Sequence, residues 1–233
     1  MKHIPRFYKD ADLGENRQVL LSPDQTHHAA NVLRLAKGNP VRVFNSRCGE
    51  WNCEIFDPKK GCVEIMSLFR KNEAEEGPII ACSLINPKRF DFFLEKATEL
   101  GISEIIPIVS AYTQYREFNV QKAEQKIILA CEQCGRLSVP GLNNIMKISD
   151  FLEKYSHDYQ ILVGDNKYYN ISLFDIITNK SVFLVGPEGG FSGEEYNLFD
   201  TYKNVSKFRL GNNILKTETA AVAFASLWKS CFF

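Results

Sequence analysis

This sequence has no net charge with which to draw in a polyanion: its 28 Lys and Arg residues are matched by 28 Asp and Glu. No run approaches the ~18 apolar residues of a membrane span, and "MKHIPRFYKDADLG" lacks the apolar core of a signal peptide. A cytoplasmic protein with no membrane partner is therefore expected. The seven cysteines are odd in number and show no framework spacing, which excludes a secreted disulfide scaffold. Cys131 and Cys134 form a C-x-x-C with no second pair and no nearby histidine, so no metal is expected and buried helical thiols are the simpler account.

What is present is ordinary globular composition, 45% hydrophobic and 24% charged over 233 residues, enough for a sizeable core. The charge is uneven: residues 1–72 carry 12 basic against 8 acidic side chains, residues 73–233 carry 16 against 20. A solvated surface explains that as well as an RNA-facing domain does. "RKNEAEEGP", Arg70 to Pro78, is charged, lacks apolar periodicity and ends in Gly-Pro, as a linker does. Two domains are expected, 1–72 and 73–233. In the first, "PVRVFN", "WNCEIFD" and "CVEIMSLF" are spaced as strands of a small β-barrel or sandwich. One helix is expected before them in "SPDQTHHAANVLRLAKG", capped by Ser22 or Asp24, with Ala29, Val32 and Leu33 at helical spacing and Gly38 closing it.

In the second, strands and helices alternate and most strands are nearly all apolar, the pattern of a parallel sheet covered on both faces. Ligands of such sheets lie outside the carboxyl ends of the strands. Three strand ends run into glycine-bearing turns, at Gly164, Gly186 and Gly211, and these form the candidate pocket. "SVFLVGPEGGFSGEEY" reads G-x-x-G-G-x-x-G, which is neither the dinucleotide G-x-G-x-x-G nor a P-loop with its G-K-[ST]. Glu188, Glu194 and Glu195 would also repel a polyphosphate. Pro187, Gly189 and Gly190 suit a tight turn exposing its backbone, and Ser192 with Glu195 forms a capping box for the next helix. This is either an ordinary strand-to-helix turn or one wall of a ligand site. The third turn, "LGNNILKTETAA", can grip a flat heteroaromatic such as adenine if it buries Ile214 and Leu215 and leaves amides free at Gly211 to Asn213.

"LVGPEGGFSGEE" and "LGNNILKTETAA", separated by one helix and one strand, resemble the paired C-terminal signatures of the SPOUT methyltransferases. With "LEKATELGISEIIPI" and "CEQCGRLSVP" ahead of them, the resemblance narrows to the bacterial 16S ribosomal RNA uridine-N3 methyltransferase family. "IPRFYKD" and "HHAANVLRLAKGNPVRVFN" are similar to that family's PUA-like RNA-binding domain. The resemblance implies an α/β SPOUT domain with a deep trefoil knot, a PUA-like β-barrel, a homodimer, and 16S rRNA, within the assembled 30S subunit, as partner. It implies S-adenosylmethionine as cofactor, held by Leu162, Val163 and Gly164, by Gly186, Glu188 and Gly189, and by Leu210, Gly211, Ile214, Leu215 and Thr219.

Uridine N3 carries a proton that must leave before or during transfer, so the chemistry asks for a base and for a cation favouring the anion. Glu218 can accept the proton and Arg136 can stabilise a uracil oxyanion or hold a phosphate. Each also has a plainer role, Glu218 as a first-turn helix acid and Arg136 as a helix C-terminal cation. Arg6, His27, His28 and Arg34 are the RNA-binding candidates, although adjacent histidines at a helix start can equally be merely solvated. Lys96 and Glu99 match the family motif, but an i, i+3 ion pair explains them. Asn213 and Lys216 stand where arginine is usual, and Cys134 where serine is common. The alternatives are a SPOUT ribose 2′-O-methyltransferase acting on rRNA or tRNA, and a non-catalytic RNA-binding module.

Overall fold

The computed structural model describes residues 4–73, 75–167 and 173–232. Ala74, inside the expected linker, lies outside them. The chain forms two compact units, one of Met1–Ala74 with Ile128–Val139, the other of Glu75–Ile127 with Pro140–Phe233. Residues 128–139 thus group with the first unit, which a division of the chain at 72/73 does not anticipate.

The first unit contains β1 (Arg6–Tyr8), β2 (Gln18–Leu20), α1 (Pro23–His27), β3 (Pro40–Asn45), β4 (Gly49–Asp57) and β5 (Cys62–Arg70). They form a five-stranded sheet in the order β1-β3-β4-β5-β2, with β1 parallel to β3 and the other pairings antiparallel. Val41 and Val43, Cys53 and Ile55, and Val63 and Ile65 alternate inward and join Phe7, Leu13 and Val19 in one core. Burial pushes the Cys53 thiol up to about 12, which makes it an unreactive apolar filler.

The helix before β3 is shorter than expected. Ser22 caps it in a reciprocal box with Gln25, and after α1 the chain continues as a π-helical turn over His28–Val32. Arg34 then adopts a left-handed φ of 54° and the Leu35 N–H bonds to the Ala29 carbonyl, so the helix ends before Gly38. Of the three expected core residues Ala29 alone is buried, while Val32 and Leu33 are exposed. Widening the helix to π geometry shifts the residues after His28 off the 3.6-residue register on which that expectation rested.

The second unit contains β6 (Ile79–Ser83), α2 (Pro87–Glu99), β7 (Glu104–Val109), α3 (Val120–Cys134, its end lying in the first unit), β8 (Gly141–Leu142), β9 (Met146–Lys147) and α4 (Ile148–Tyr155). It continues with β10 (Gln160–Gly164), α5 (Leu173–Ile176), β11 (Ser181–Val185), α6 (Gly193–Asp200), β12 (Val205–Phe208) and α7 (Thr217–Phe232). Every pairing is parallel, in the order β12-β10-β11-β6-β7-β8, with β9 also on β7. The central strands β6 and β11 are wholly buried, the reason their sequences are continuous apolar runs.

Helix α2 starts at Asn86, whose side chain accepts from the Lys88 N–H, with Pro87 in the first turn; it buries Phe90, Phe93, Leu94 and Ala97. Gly101, at φ 76°, follows its end. Helix α7 packs on α2, β11 and β6, and Phe224 stacks on Phe183 of β11 at 4.5 Å. The apolar C-terminal end of α7 is partly packed. Trp228 is buried, its indole N–H donating to the Thr178 carbonyl at 3.1 Å, and Phe232 packs on it. Among the described residues no helix is long and apolar enough to cross a membrane.

Candidate functional site

The turns after β10, β11 and β12 converge at the carboxyl edge of the parallel sheet around a cleft of about 350 Å³. That lies within the range of small-molecule sites, roughly 300–1,000 Å³. From the first turn come Gly164, Asp165, Asn166 and Lys167, from the second Val185 through Phe191, and from the third Arg209, Leu210 and Asn213 through Thr217.

Each turn is held by its own bonds. The Asp165 N–H donates to the Phe208 carbonyl at 2.8 Å, while its carboxylate accepts the Lys167 N–H at 2.8 Å and the Tyr196 hydroxyl. In the second turn the Gly190 N–H closes onto the Pro187 carbonyl at 2.9 Å, with Gly190 at φ 71°, a conformation that disfavours any side chain. A Cβ on Gly186 would lie 3.0 Å from the Phe191 ring, so any side chain there requires that ring to give way. The expected capping box is present: Ser192 accepts from the Glu195 N–H and Glu195 accepts from the Ser192 N–H. The Thr217 hydroxyl donates to the Gly186 carbonyl at 2.7 Å, tying the start of α7 to the second turn.

Of the expected cofactor residues, Gly164, Gly186, Glu188, Gly189, Leu210, Ile214 and Leu215 line this cleft. Leu162 and Val163 do not. They are fully buried inside β10, and only the strand's last residue reaches the edge. Gly211 also lies off the lining. Thr219 is exposed outside the cleft, whereas Thr217 and Ala220 line it, because helical geometry carries position 219 to another face. Nor does the third turn bury its apolar pair. Ile214 is 81% exposed and Leu215 37%, so both offer contact surface to the cleft without being packed by the protein.

Tyr196 and Thr217 also line the cleft, and for Tyr196 the sequence carries a signal. With Ser192 as N-cap, Phe191 and Tyr196 occupy the two positions of a hydrophobic staple, and their rings meet at 6.2 Å. Tyr196 is thereby turned back to the cleft.

Glu218, in the first turn of α7, is buried, and its Oε1 pairs with Arg89 Nε at 3.3 Å. Its Oε2 has no partner among the described residues. Arg89 also pairs with Glu188. Burial, with the Glu218 and Glu188 carboxylates nearby, pushes the Cys82 thiol up. Arg136 is buried just beyond Gly135, which takes a left-handed φ of 88° after α3. It belongs to the first unit and Glu218 to the second. The C-x-x-C is split, Cys131 buried and Cys134 exposed, which corrects the expectation of two buried thiols. Lys96 bonds Glu95 and Glu99 on the surface of α2.

The RNA candidates also divide. His27, His28 and Arg34 are exposed. Arg6 is enclosed: its guanidinium pairs with Glu50 at 2.6 Å, donates to the carbonyls of Cys131, Glu132 and Arg136, and lies 4.3 Å from the Phe44 ring centre. A guanidinium engaged on so many sides braces the first unit and has little left to offer a phosphate.

Comparison with known proteins gives two family matches along the chain. The RNA methyltransferase domain family matches residues 74–229, and the RNA methyltransferase PUA domain family matches residues 21–66. The chain is 31% identical to the ribosomal RNA small subunit methyltransferase E of Rickettsia conorii, over 93% of this chain and 91% of that protein. It is 28% identical to the protein of that name from Buchnera aphidicola subsp. Schizaphis graminum, over 95% and 94%. Among solved structures it is similar to the Neisseria gonorrhoeae ribosomal RNA small subunit methyltransferase E bound to S-adenosyl methionine, with a TM-score of 0.87, 27% identity and 98% of both chains covered.

Proposed function

The chain belongs to the ribosomal RNA small subunit methyltransferase E family, and from that premise we propose that it transfers a methyl group from S-adenosylmethionine to N3 of a uridine in 16S rRNA. The observation that carries the reading is the convergence of three glycine-bearing turns on one cleft, locked by the bond from Thr217 to Gly186.

The lining suits that cofactor. Val185, Leu210, Ile214 and Leu215 offer apolar contact to an adenine, and the Pro187–Gly190 turn offers backbone. Asp165 and Glu188 provide carboxylates where a sulfonium, an ammonium or ribose hydroxyls need acceptors. When bound, S-adenosylmethionine supplies an electrophilic methyl group, which leaves the protein to align the nucleophile and exclude water. In this reading Gly164, Gly186, Gly189, Leu210, Ile214, Leu215 and Thr217 hold the cofactor. Glu218 is the group that takes the N3 proton, and the Arg89 pair on its other oxygen keeps the carboxylate oriented. Arg136, in the first unit, offers a cation to a phosphate of the RNA. His27, His28 and Arg34 face RNA, and Arg6 is a structural brace of the same unit.

The reading includes a trefoil knot, which the resemblance to the SPOUT methyltransferases implies. It also includes a homodimer acting on assembled 30S subunits; light scattering tests the dimer. N3 lies on the Watson–Crick edge, so the target base must be unpaired or splayed out.

The deciding experiment is incubation of the protein with labelled cofactor and 30S subunits or naked 16S rRNA, followed by nucleoside analysis. Label in N3-methyluridine is expected. Label confined to 2′-O-methyl ribose would overturn the reading, and cofactor binding without any transfer would favour an RNA-binding module.

A further inference from the structure

Tyr112 is an aromatic residue beside Gly189, one of the residues that line the cleft, and the machinery above does not use it. The residue is 54% exposed. A single exposed aromatic is unremarkable by itself. What distinguishes this one is its seat. A Cβ placed on Gly189, a lining residue of the cleft, would lie 3.1 Å from Tyr112 Cβ and 3.6 Å from Cγ. The ring is therefore rooted against the glycine turn itself.

The loop that carries Tyr112 is held rigidly in place. Ser110 and Thr113, both buried, bond reciprocally across it: the Ser110 N–H donates to Thr113 Oγ1 at 2.8 Å, the two hydroxyls lie 2.8 Å apart, and the Thr113 N–H donates to the Ser110 carbonyl at 3.2 Å. Next to Tyr112, the Ala111 N–H donates to Glu195 Oε1 at 2.8 Å. The other oxygen of that carboxylate, Oε2, caps α6 through the Ser192 N–H at 2.7 Å. One carboxylate thus registers the Tyr112 loop to the helix that follows the glycine turn. Glu188, the residue before Gly189, carries the Arg89 pair, so a cation and a rigid aromatic face adjoin the same two-residue stretch.

A base drawn out of an RNA stack loses its neighbours, and an exposed aromatic ring restores that contact without regard to sequence. We propose that Tyr112 is the stacking platform for the acceptor base, holding the splayed uracil beside the Gly189 turn. The inference rests on the base-methylation reading above. It assigns Tyr112 affinity and orientation, and leaves choice of the base to groups that meet its edge.

The test compares the wild-type chain with Tyr112→Ala, Tyr112→Phe and Tyr112→Trp. Initial rates of N3-methyluridine formation are measured over a range of 30S concentrations, and S-adenosylmethionine affinity by calorimetry. Loss of one base stack should lower kcat/KM of Tyr112→Ala for the RNA by about 5- to 150-fold. Its cofactor Kd should stay within about twofold, and the Phe and Trp variants, which keep a ring, should retain activity. An unchanged rate for Tyr112→Ala overturns the proposal, as does an equal loss in Tyr112→Phe. So does a fall in cofactor affinity as large as the fall in rate, which would mean that the side chain merely props the Gly189 turn. In each of those cases the wild-type chain still makes N3-methyluridine. If it binds cofactor and makes none, the base-methylation reading fails and this proposal with it.

Discussion

The two units handle charge in opposite ways. In the first, Glu50 is fully buried and each of its oxygens meets an arginine, Arg6 Nε at 2.6 Å and Arg70 Nε at 2.6 Å. Arg6 in turn is 7% exposed and donates to three carbonyls. Little of that charge is left over for a ligand. In the second unit the buried acid Glu218 has one oxygen on Arg89 and the other without a partner among the described residues, and the cleft is built chiefly from backbone turns. The lesson is that a segment's net charge does not say which of its charges are left free for a ligand. Part of the basic excess of residues 1–72 holds the fold together, while a chain segment with an acidic excess carries the pocket.

The most severe way to break this contrast is Glu50→Ala. It leaves the enclosed Arg6 without its counter-ion, which should cost about 3–5 kcal/mol of stability in urea unfolding, with cofactor affinity of the folded protein unchanged. Thr217→Val sharpens the other side. It leaves the Gly186 carbonyl without its buried donor, which should cost about 1–3 kcal/mol and also weaken cofactor binding by calorimetry. A smaller loss, about 1–2 kcal/mol, is expected for Gly190→Ala, because the added Cβ meets nothing within 4 Å and only the left-handed backbone resists it. Melting temperature and cofactor titration check this together.

Glu132→Gln should show the smallest effect, and mainly as pH dependence. Burial raises the Glu132 carboxyl above its ordinary 4.5, against the Tyr8 N–H and Gln25 side chain that favour its charged form. A raised folded value means the carboxyl's contribution to stability is fully present below pH 4.5 and lost as pH rises through the folded value. Thermal unfolding at a series of pH values above 4.5 should therefore show a flatter profile for the glutamine variant.

How much of this was legible in the chain varied with the kind of interaction. The capping box at Ser192 and Glu195 is written in local spacing, and so are the parallel strands, whose two-sided burial demands continuous apolar runs; of the two candidate caps Ser22 and Asp24, the structure selects Ser22. Helix α4 escaped notice although Ile148, Phe151, Leu152 and Tyr155 are spaced to bury one face, because its eight residues give a short periodic signal. Helix α1 was extended too far, since no local pattern announced the π-helical turn or the left-handed Arg34.

By itself the sequence determined most of the strands and helices, the three glycine turns and the family, because caps, periodicity and backbone permissiveness act between residues close in the chain. Only the tertiary structure decided which residues of each motif face the cleft: Gly164 but not Leu162, and Thr217 but not Thr219. It also decided that Arg6 is a brace and that Tyr112 sits against Gly189. Those outcomes depend on distant segments meeting, on the end of β10 at the sheet edge, on the rotation of α7 against β11, and on a carboxylate from α6 that holds a loop 84 residues away.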